Sequence, residues 1–373
     1  MGKKKALVYI GGPKQLKDFI WYYLAHGQEY DWTMLCQPMF PEMKLKEICE
    51  KTGIFEDVIE VDSYWGKSYV SLAIDSLKMI AYWVIGKNKL YAKKEVSKMV
   101  DIEKFDLVVV STTRGVTPGL ITCNSDKQKV EILEDGLGDF VDPNAKFHIS
   151  HIFESSYLIA YMFAKMNYFN YEAKFPLPST KNCYRYSEQP EKVGATLYKG
   201  VRKLNDLQLV DQKEYDSLVE KTFGTPKIIE EVDAVFFTTG LVSYTSEEGA
   251  NKLNSRIVKY LQKELFGKKL AIKKHPRDTY DYDISGVEVI LIDAMIPGED
   301  LFRYITDQQV YFTHPSSIAY KLFERKRMCN IFHCEELKSD KVQRTKQFEY
   351  EIDFSKKVKD YGENRKYVNL IEL

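Results

Sequence analysis

A histidine, a proline and an arginine follow a short apolar run in the stretch Leu270-Ala271-Ile272-Lys273-Lys274-His275-Pro276-Arg277. Residues 270–272 have the character of a buried strand, and Pro276 ends the extended run because it lacks an N–H donor and fixes φ. His275 and Arg277 are thereby presented at a strand end, the edge of an open α/β sheet where ligands bind. An imidazole beside a guanidinium suits an anion that must take up a proton, and a phosphate leaving group fits first. The same residues also describe a strand-capping histidine among surface lysines, so two further stretches carry weight.

The first is Glu134-Asp135-Gly136-Leu137-Gly138-Asp139, directly after the apolar run Val130-Glu131-Ile132-Leu133. Two carboxylates at a strand terminus, followed by glycines, put acidic groups where backbone and substrate approach closely. A plain polar turn has the same composition. The second is His314-Pro315-Ser316-Ser317, ahead of an apolar-periodic run. Serines at a helix start satisfy its free N–H groups, and those groups with the helix dipole attract phosphate. An N-cap alone needs no ligand. Together, however, Ser316 and Ser317 with backbone N–H groups would hold a phosphate within reach of His275.

The elements that must position these residues alternate. Strands are expected over 6–10, 32–36, 57–61, 107–110 and 130–133, with helices over 14–25 and 44–52 and a long helical stretch over 71–100 broken near Gly86. A second alternation follows: strands over 234–240, 270–272, 287–292 and 309–313, and helices over 247–266 and 298–305. The region 142–230 has mixed periodicity, with helices expected over 155–168 and 211–223. This is the rhythm of two doubly wound α/β domains. The expected division is 1–228 for an acceptor-side domain with its linker, 229–345 for a nucleotide-sugar domain, and 346–373 for a segment packing back on the first.

Composition removes several function classes. At 373 residues the chain exceeds one core. With 54 Lys+Arg against 54 Asp+Glu it has no net field for nucleic acid. Cys36, Cys49, Cys123, Cys183, Cys329 and Cys334 form no Cys-x-x-Cys pair, so neither zinc nor a disulfide framework is indicated. Gly11-Gly12-Pro13 after the first strand is not the Gly-x-Gly-x-x-Gly that seats a dinucleotide. Asp281-Tyr282-Asp283 has a metal-site spacing but sits among turn residues and reads as a surface turn. Residues 69–85 and 157–169 are the most apolar stretches, and Asp75, Lys78 and Lys165 make them buried helices rather than spans. The N-terminus runs into a strand without an apolar leader, so a cytoplasmic protein is expected. Residues 87–94, Lys-Asn-Lys-Leu-Tyr-Ala-Lys-Lys, form a solvated face or a peripheral contact with an anionic inner membrane or lipid-linked acceptor.

Two α/β domains, an acidic strand end in the first, and a histidine with a phosphate-binding helix start in the second describe a nucleotide-sugar transferase of the GT-B type, its two Rossmann-like domains facing a cleft. The motifs carry a closer likeness. Leu133-Glu134-Asp135-Gly136-Leu137-Gly138, Lys274-His275-Pro276-Arg277 with Tyr280 and Ser285-Gly286-Val287, and Pro315-Ser316-Ser317 resemble the acidic-Gly, His-Pro and Ser motifs of bacterial sialyltransferases. The His-Pro surroundings are most similar to glycosyltransferase family 52, the lipooligosaccharide sialyltransferases, with polysialyltransferases as relatives. The resemblance implies CMP-sialic acid as donor, a lipooligosaccharide or capsule glycan as acceptor, inversion at the anomeric carbon, and neither metal nor cofactor. It implies His275 as the acid toward the donor phosphate, with Lys274, Pro276, Arg277, Pro315, Ser316 and Ser317 around the donor. The base is Glu134 or Asp135 by the polysialyltransferase pattern. By the family 52 pattern it is an acid in the loop after the second domain's first strand, where Glu247 stands without a close match. Transfer of another sugar or a polyol phosphate, and a non-catalytic glycan- or membrane-binding scaffold, are the competing readings.

Overall fold

In the computed structural model, the structure describes residues 2–38, 43–62, 69–111, 116–125, 129–133, 182–185, 202–203, 210–241, 245–313, 326–333 and 367–373. The chain forms two compact units, Met1–Phe223 and Gly224–Leu373.

The first unit is built on a seven-stranded, all-parallel sheet. Its strands are β1 (Lys4–Ile10), β2 (Tyr30–Cys36), β3 (Phe55–Glu60), β4 (Leu107–Val110), β5 (Val130–Leu133), β6 (Asn182–Arg185) and β7 (Arg202–Lys203), in the order β3-β2-β1-β4-β5-β6-β7. A strand in the middle of a parallel sheet is covered on both faces and must be apolar throughout. Residues 6–10 meet this demand, all of them buried. One face carries α1 (Pro13–Tyr22), α2 (Leu45–Thr52) and α6 (Gln212–Phe223). Pro13 opens α1 at its first turn, where a missing N–H costs nothing. Phe19 of α1 meets Trp32 edge to face at 4.8 Å, and the Tyr22 hydroxyl donates to the buried carboxylate of Glu131 on β5. Trp21 stacks edgewise on Tyr215 of α6 at 4.6 Å, and Lys221 Nζ of α6 donates to Thr52 O.

The opposite face holds α3 (Tyr69–Val84), α4 (Asn88–Ser97) and α5 (Val116–Asn124) over a core of Leu7, Met79, Tyr91, Val96, Val108, Ile121 and Ile132. Residues 69–85 were expected to be a buried helix. Met79 of α3 does reach the core, but Val70, Ile74, Leu77, Val84 and Ile85 are exposed. Charge interruptions distinguish a helix from a membrane span; they do not reveal that a helix is apolar on two sides.

The second unit is a six-stranded parallel sheet of β8 (Ala234–Phe237), β9 (Lys269–Lys273), β10 (Glu288–Ile292), β11 (Gln309–Phe312), β12 (Cys329–His333) and β13 (Val368–Glu372), ordered β10-β9-β8-β11-β12-β13. The helix α7 (Glu247–Glu264) lays Leu253, Ile257 and Leu261 over Phe236, Leu270 and Ile272. The expected helix over 298–305 is a 3₁₀ turn at Gly298–Arg303. The end of the last segment supplies β13, which pairs with β12 from Cys329↔Val368 to His333↔Glu372. Its earlier residues, 346–366, and the helix expected over 155–168 lie outside the described residues.

Gly286 makes the turn into β10 at φ +77, and a Cβ there would stand 2.4 Å from the Phe266 ring. The left-handed backbone costs a residue with a side chain about 1–2 kcal/mol, while the exposed Phe266 ring can swing aside. Gly286→Ala is expected to lower unfolding free energy by about that amount in urea denaturation, leaving ligand affinity unchanged.

Candidate functional site

The ligand crevice of a doubly wound sheet opens at the carboxyl ends of the strands between which the chain reverses its direction across the sheet. These are β1 and β4 in the first unit, and β8 and β11 in the second.

The first unit closes this edge with its own side chains. Gly11 N–H donates to Gln15 Oε1 at 2.6 Å, and the Ser111 hydroxyl lies 2.6 Å from Tyr9 O and 2.9 Å from the same Gln15 oxygen. Tyr9 donates to Gln37 Oε1 at 3.0 Å, and Gln37 Nε2 to Asp62 O at 2.9 Å. The amide that a dinucleotide phosphate would need at Gly11 is spent on a glutamine. Glu134 and Asp135, the proposed acids one strand along, lie outside the described residues.

The second unit's edge is built differently. The His275 backbone N–H, just past β9, donates to Thr238 Oγ1 at the end of β8 at 3.0 Å. Thr238 in turn hydrogen-bonds the Tyr282 side chain. Tyr282 donates to Asp278 Oδ2 at 2.8 Å, with Asn254 Oδ1 of α7 at 3.2 Å. Burial first, and the Asp278 carboxylate second, push the Tyr282 phenol well above its ordinary range, so it stays a donor. Asp278 N–H donates to His275 O at 2.8 Å, closing a turn with Pro276 at its second position, where a fixed φ is favoured. A Cβ on Gly240 would fall 2.5 Å from Arg277 Cβ and 3.3 Å from its carbonyl, so the chain after β8 lies directly against the His-Pro-Arg turn.

Within that turn the Arg277 backbone N–H donates to His275 Nδ1 at 3.1 Å. A nitrogen that accepts carries no proton, so the neutral ring holds its proton on Nε2. Proton transfer from Nε2 would leave an imidazolate unless the ring first took a second proton at Nδ1 and gave up the Arg277 N–H. The geometry therefore suits His275 to hydrogen-bond donation from Nε2 more than to acid catalysis.

Lys274, expected at the donor, turns its Nζ to Tyr280 O at 2.8 Å and braces the loop. Glu247 stands exposed in the first turn of α7, whose start is capped by Ser246 accepting from Gly249 N–H at 3.1 Å. There it complements the helix dipole. Asp281 and Asp283 are exposed and Tyr282 between them is buried, so the two carboxylates flank a core residue. Pro315, Ser316 and Ser317 lie outside the described residues, but Thr313 just before them is described. Its hydroxyl is buried at the end of β11 and finds no hydrogen-bond partner among the described residues. Buried hydroxyls are rarely left so, and the partner of this one is to be sought beyond the described residues.

Two residues not singled out from the sequence shape the site. Thr238 acts only because β8 lies beside β9. Lys273, the last residue of β9, is buried and donates to Ala294 O at 2.9 Å and to Lys274 O at 3.3 Å, tying two loops together. Its place after an apolar run was the available signal.

No family model matches the sequence, and no curated protein does. Solved structures do. A 2,6-sialyltransferase from Photobacterium sp. JT-ISH-224, in a ternary complex with CMP and lactose, superposes with a TM-score of 0.52 at 10% identity, over 98% of this chain and 78% of that one. The MnaA–UDP structure from S. aureus gives 0.50 at 11% identity, over 98% and 93%. The fold is of the GT-B type. At such identities the likeness is one of fold. A GT-B chain has two Rossmann-like units, and the two doubly wound sheets here are those units.

Two outcomes follow from the loop packing. Gly240→Ala is expected to destabilise the protein by about 1–3 kcal/mol in urea denaturation, because backbone cannot yield as a side-chain tip does. Burial lowers the Lys273 ammonium to about 8 from 10.5, against the opposing pull of Asp293 and Glu299. The unfolded chain then holds the extra proton between those values, so stability should rise as pH climbs through this window. Measured against Lys273→Met, the gain should reach about 3 kcal/mol, and a flat difference would refute it.

Proposed function

We propose that the protein is a glycosyltransferase that uses a nucleotide-activated sugar, and more finely an inverting, metal-independent sialyltransferase with CMP-sialic acid as donor. The observation that carries this reading is the His-Pro-Arg turn locked onto the end of β8, at the switch point of a GT-B second unit where the Thr313 hydroxyl has no hydrogen-bond partner among the described residues. The motif resemblance narrows the sugar to sialic acid and the acceptor to a bacterial surface glycan or glycolipid.

In this reading the acceptor hydroxyl attacks the anomeric carbon of sialic acid as the bond to the CMP phosphate breaks. The electron pair leaves on the phosphate oxygen. His275 Nε2–H donates a hydrogen bond to that oxygen, and the proposed helix start at Ser316 and Ser317 adds backbone donors to it. Protein donors thus carry the charge that a divalent ion carries in other transferases. The acceptor's proton passes to a carboxylate, Glu134 or Asp135, with Glu247 the alternative base.

A thermal-shift screen with CMP, UDP, GDP and CDP tests the donor. Stabilisation by the cytidine nucleotides, CMP above all, is expected. A response to UDP or GDP alone points to another sugar donor, and no response to any nucleotide points to the scaffold. With CMP-sialic acid, His275→Ala should cut transfer by about 10²–10³-fold while CMP binding is partly retained; near-normal turnover would sink the assignment.

A further inference from the structure

Helix α3 is apolar on two opposite sides, and packing explains only one. At about 100° per residue, Met79 and Tyr82 face the unit's core, while Val70, Ile74, Leu77, Ala81 and Val84 form a second stripe roughly opposite Met79. Met79 is 1% exposed; Val70, Leu77 and Val84 are 69%, 67% and 69% exposed. Ile85 and Leu90, at the junction with α4, extend the stripe and are also exposed. A run of exposed aliphatic side chains this long marks an interaction surface, since scattered apolar residues do not line up.

The charges beside it say what kind. Residues 69–100 contain six lysines, Lys78, Lys87, Lys89, Lys93, Lys94 and Lys98, and only two acids, Asp75 and Glu95. All six lysines are exposed. Lys78 lies 4.0 Å from Asp75, Lys98 pairs with Glu95 at 2.6 Å, and Lys93 pairs with Glu103 at 2.7 Å. Lys87, Lys89 and Lys94 form no ion pair among the described residues. Lys87 and Lys89 lie between Ile85 and Leu90 at the α3–α4 junction, an arrangement in which aliphatic side chains enter the acyl boundary and ammonium groups stay at the headgroups. Sixteen helical residues span only about 24 Å, short of a bilayer core. No helix among the described residues is long and apolar enough to cross a membrane.

We propose that the outer face of α3, with the basic α3–α4 junction, docks on an anionic lipid bilayer, the helix lying in the plane of the interface. A second copy of the chain fits less well, because a symmetric contact would bring the same lysine-rich border against itself. The proposal stands whether or not the transferase reading holds.

The test is sedimentation of the full chain with vesicles of phosphatidylcholine containing phosphatidylglycerol, and with phosphatidylcholine alone. Binding to the phosphatidylglycerol vesicles that weakens at high salt is expected. Ile74→Glu combined with Leu77→Glu should reduce it by at least about tenfold, and Lys87→Gln with Lys89→Gln and Lys94→Gln should remove the preference for the anionic lipid. These side chains are exposed, so both variants should melt with the wild type, which separates lost docking from lost folding. No binding to anionic vesicles, or equal and salt-independent binding to both kinds, overturns the proposal. So does a solution dimer that Leu77→Glu dissociates while the wild type ignores vesicles.

Discussion

The hydrogen bond from the His275 backbone N–H to the Thr238 hydroxyl is the contact on which the candidate site depends. It joins the ends of two neighbouring parallel strands, where sheet pairing has just run out and the chains are otherwise free to splay. A threonine oxygen can accept from one side and donate to another. Thr238 does both, passing the constraint through Tyr282 to Asp278 and on to α7. Each member is buried or half-buried except His275 and the turn's Pro276, which remain exposed. The arrangement thus fixes a backbone firmly at a residue that is itself exposed. That is what a preorganised donor to an anion requires, because little remains to be ordered when the ligand arrives.

The two units use the same topology to opposite ends. At the first sheet's switch point Gly11, Gln15 and Ser111 satisfy one another. At the second, Thr313 is left without a partner among the described residues. A self-satisfied edge leaves fewer open donors and acceptors than one where a hydroxyl has no described partner.

Much of this was legible in the sequence because parallel strands announce themselves as unbroken apolar runs. Leu107–Val110 and Val130–Leu133 fall where the runs place them. The misses have physical causes. Asn182–Arg185 and Arg202–Lys203 are short and polar, without alternation to mark them. Val116–Asn124 begins Val-Thr-Pro-Gly, and proline with glycine reads as a break although a helix tolerates proline in its first turn. Val368–Glu372 lies at the end of a charged segment, where pairing with β12 and not composition makes a strand. At the site, Pro276 and His275 were visible as a strand-end motif. The bond from Lys274 to Tyr280 O was not legible because a lysine's reach is invisible in the sequence, and Thr238 needed the neighbouring strand to acquire a role.

Selective ¹⁵N labelling of the six histidines, with His275 assigned through His275→Asn, measures the account's central claim directly, because imidazole nitrogen shifts report which nitrogen carries the proton. The account predicts His275 with Nδ1 unprotonated and Nε2 protonated, and a shift confined to its Nε2–H when CMP is added. A His275 ring protonated at Nδ1, or one that no nucleotide disturbs, would contradict it.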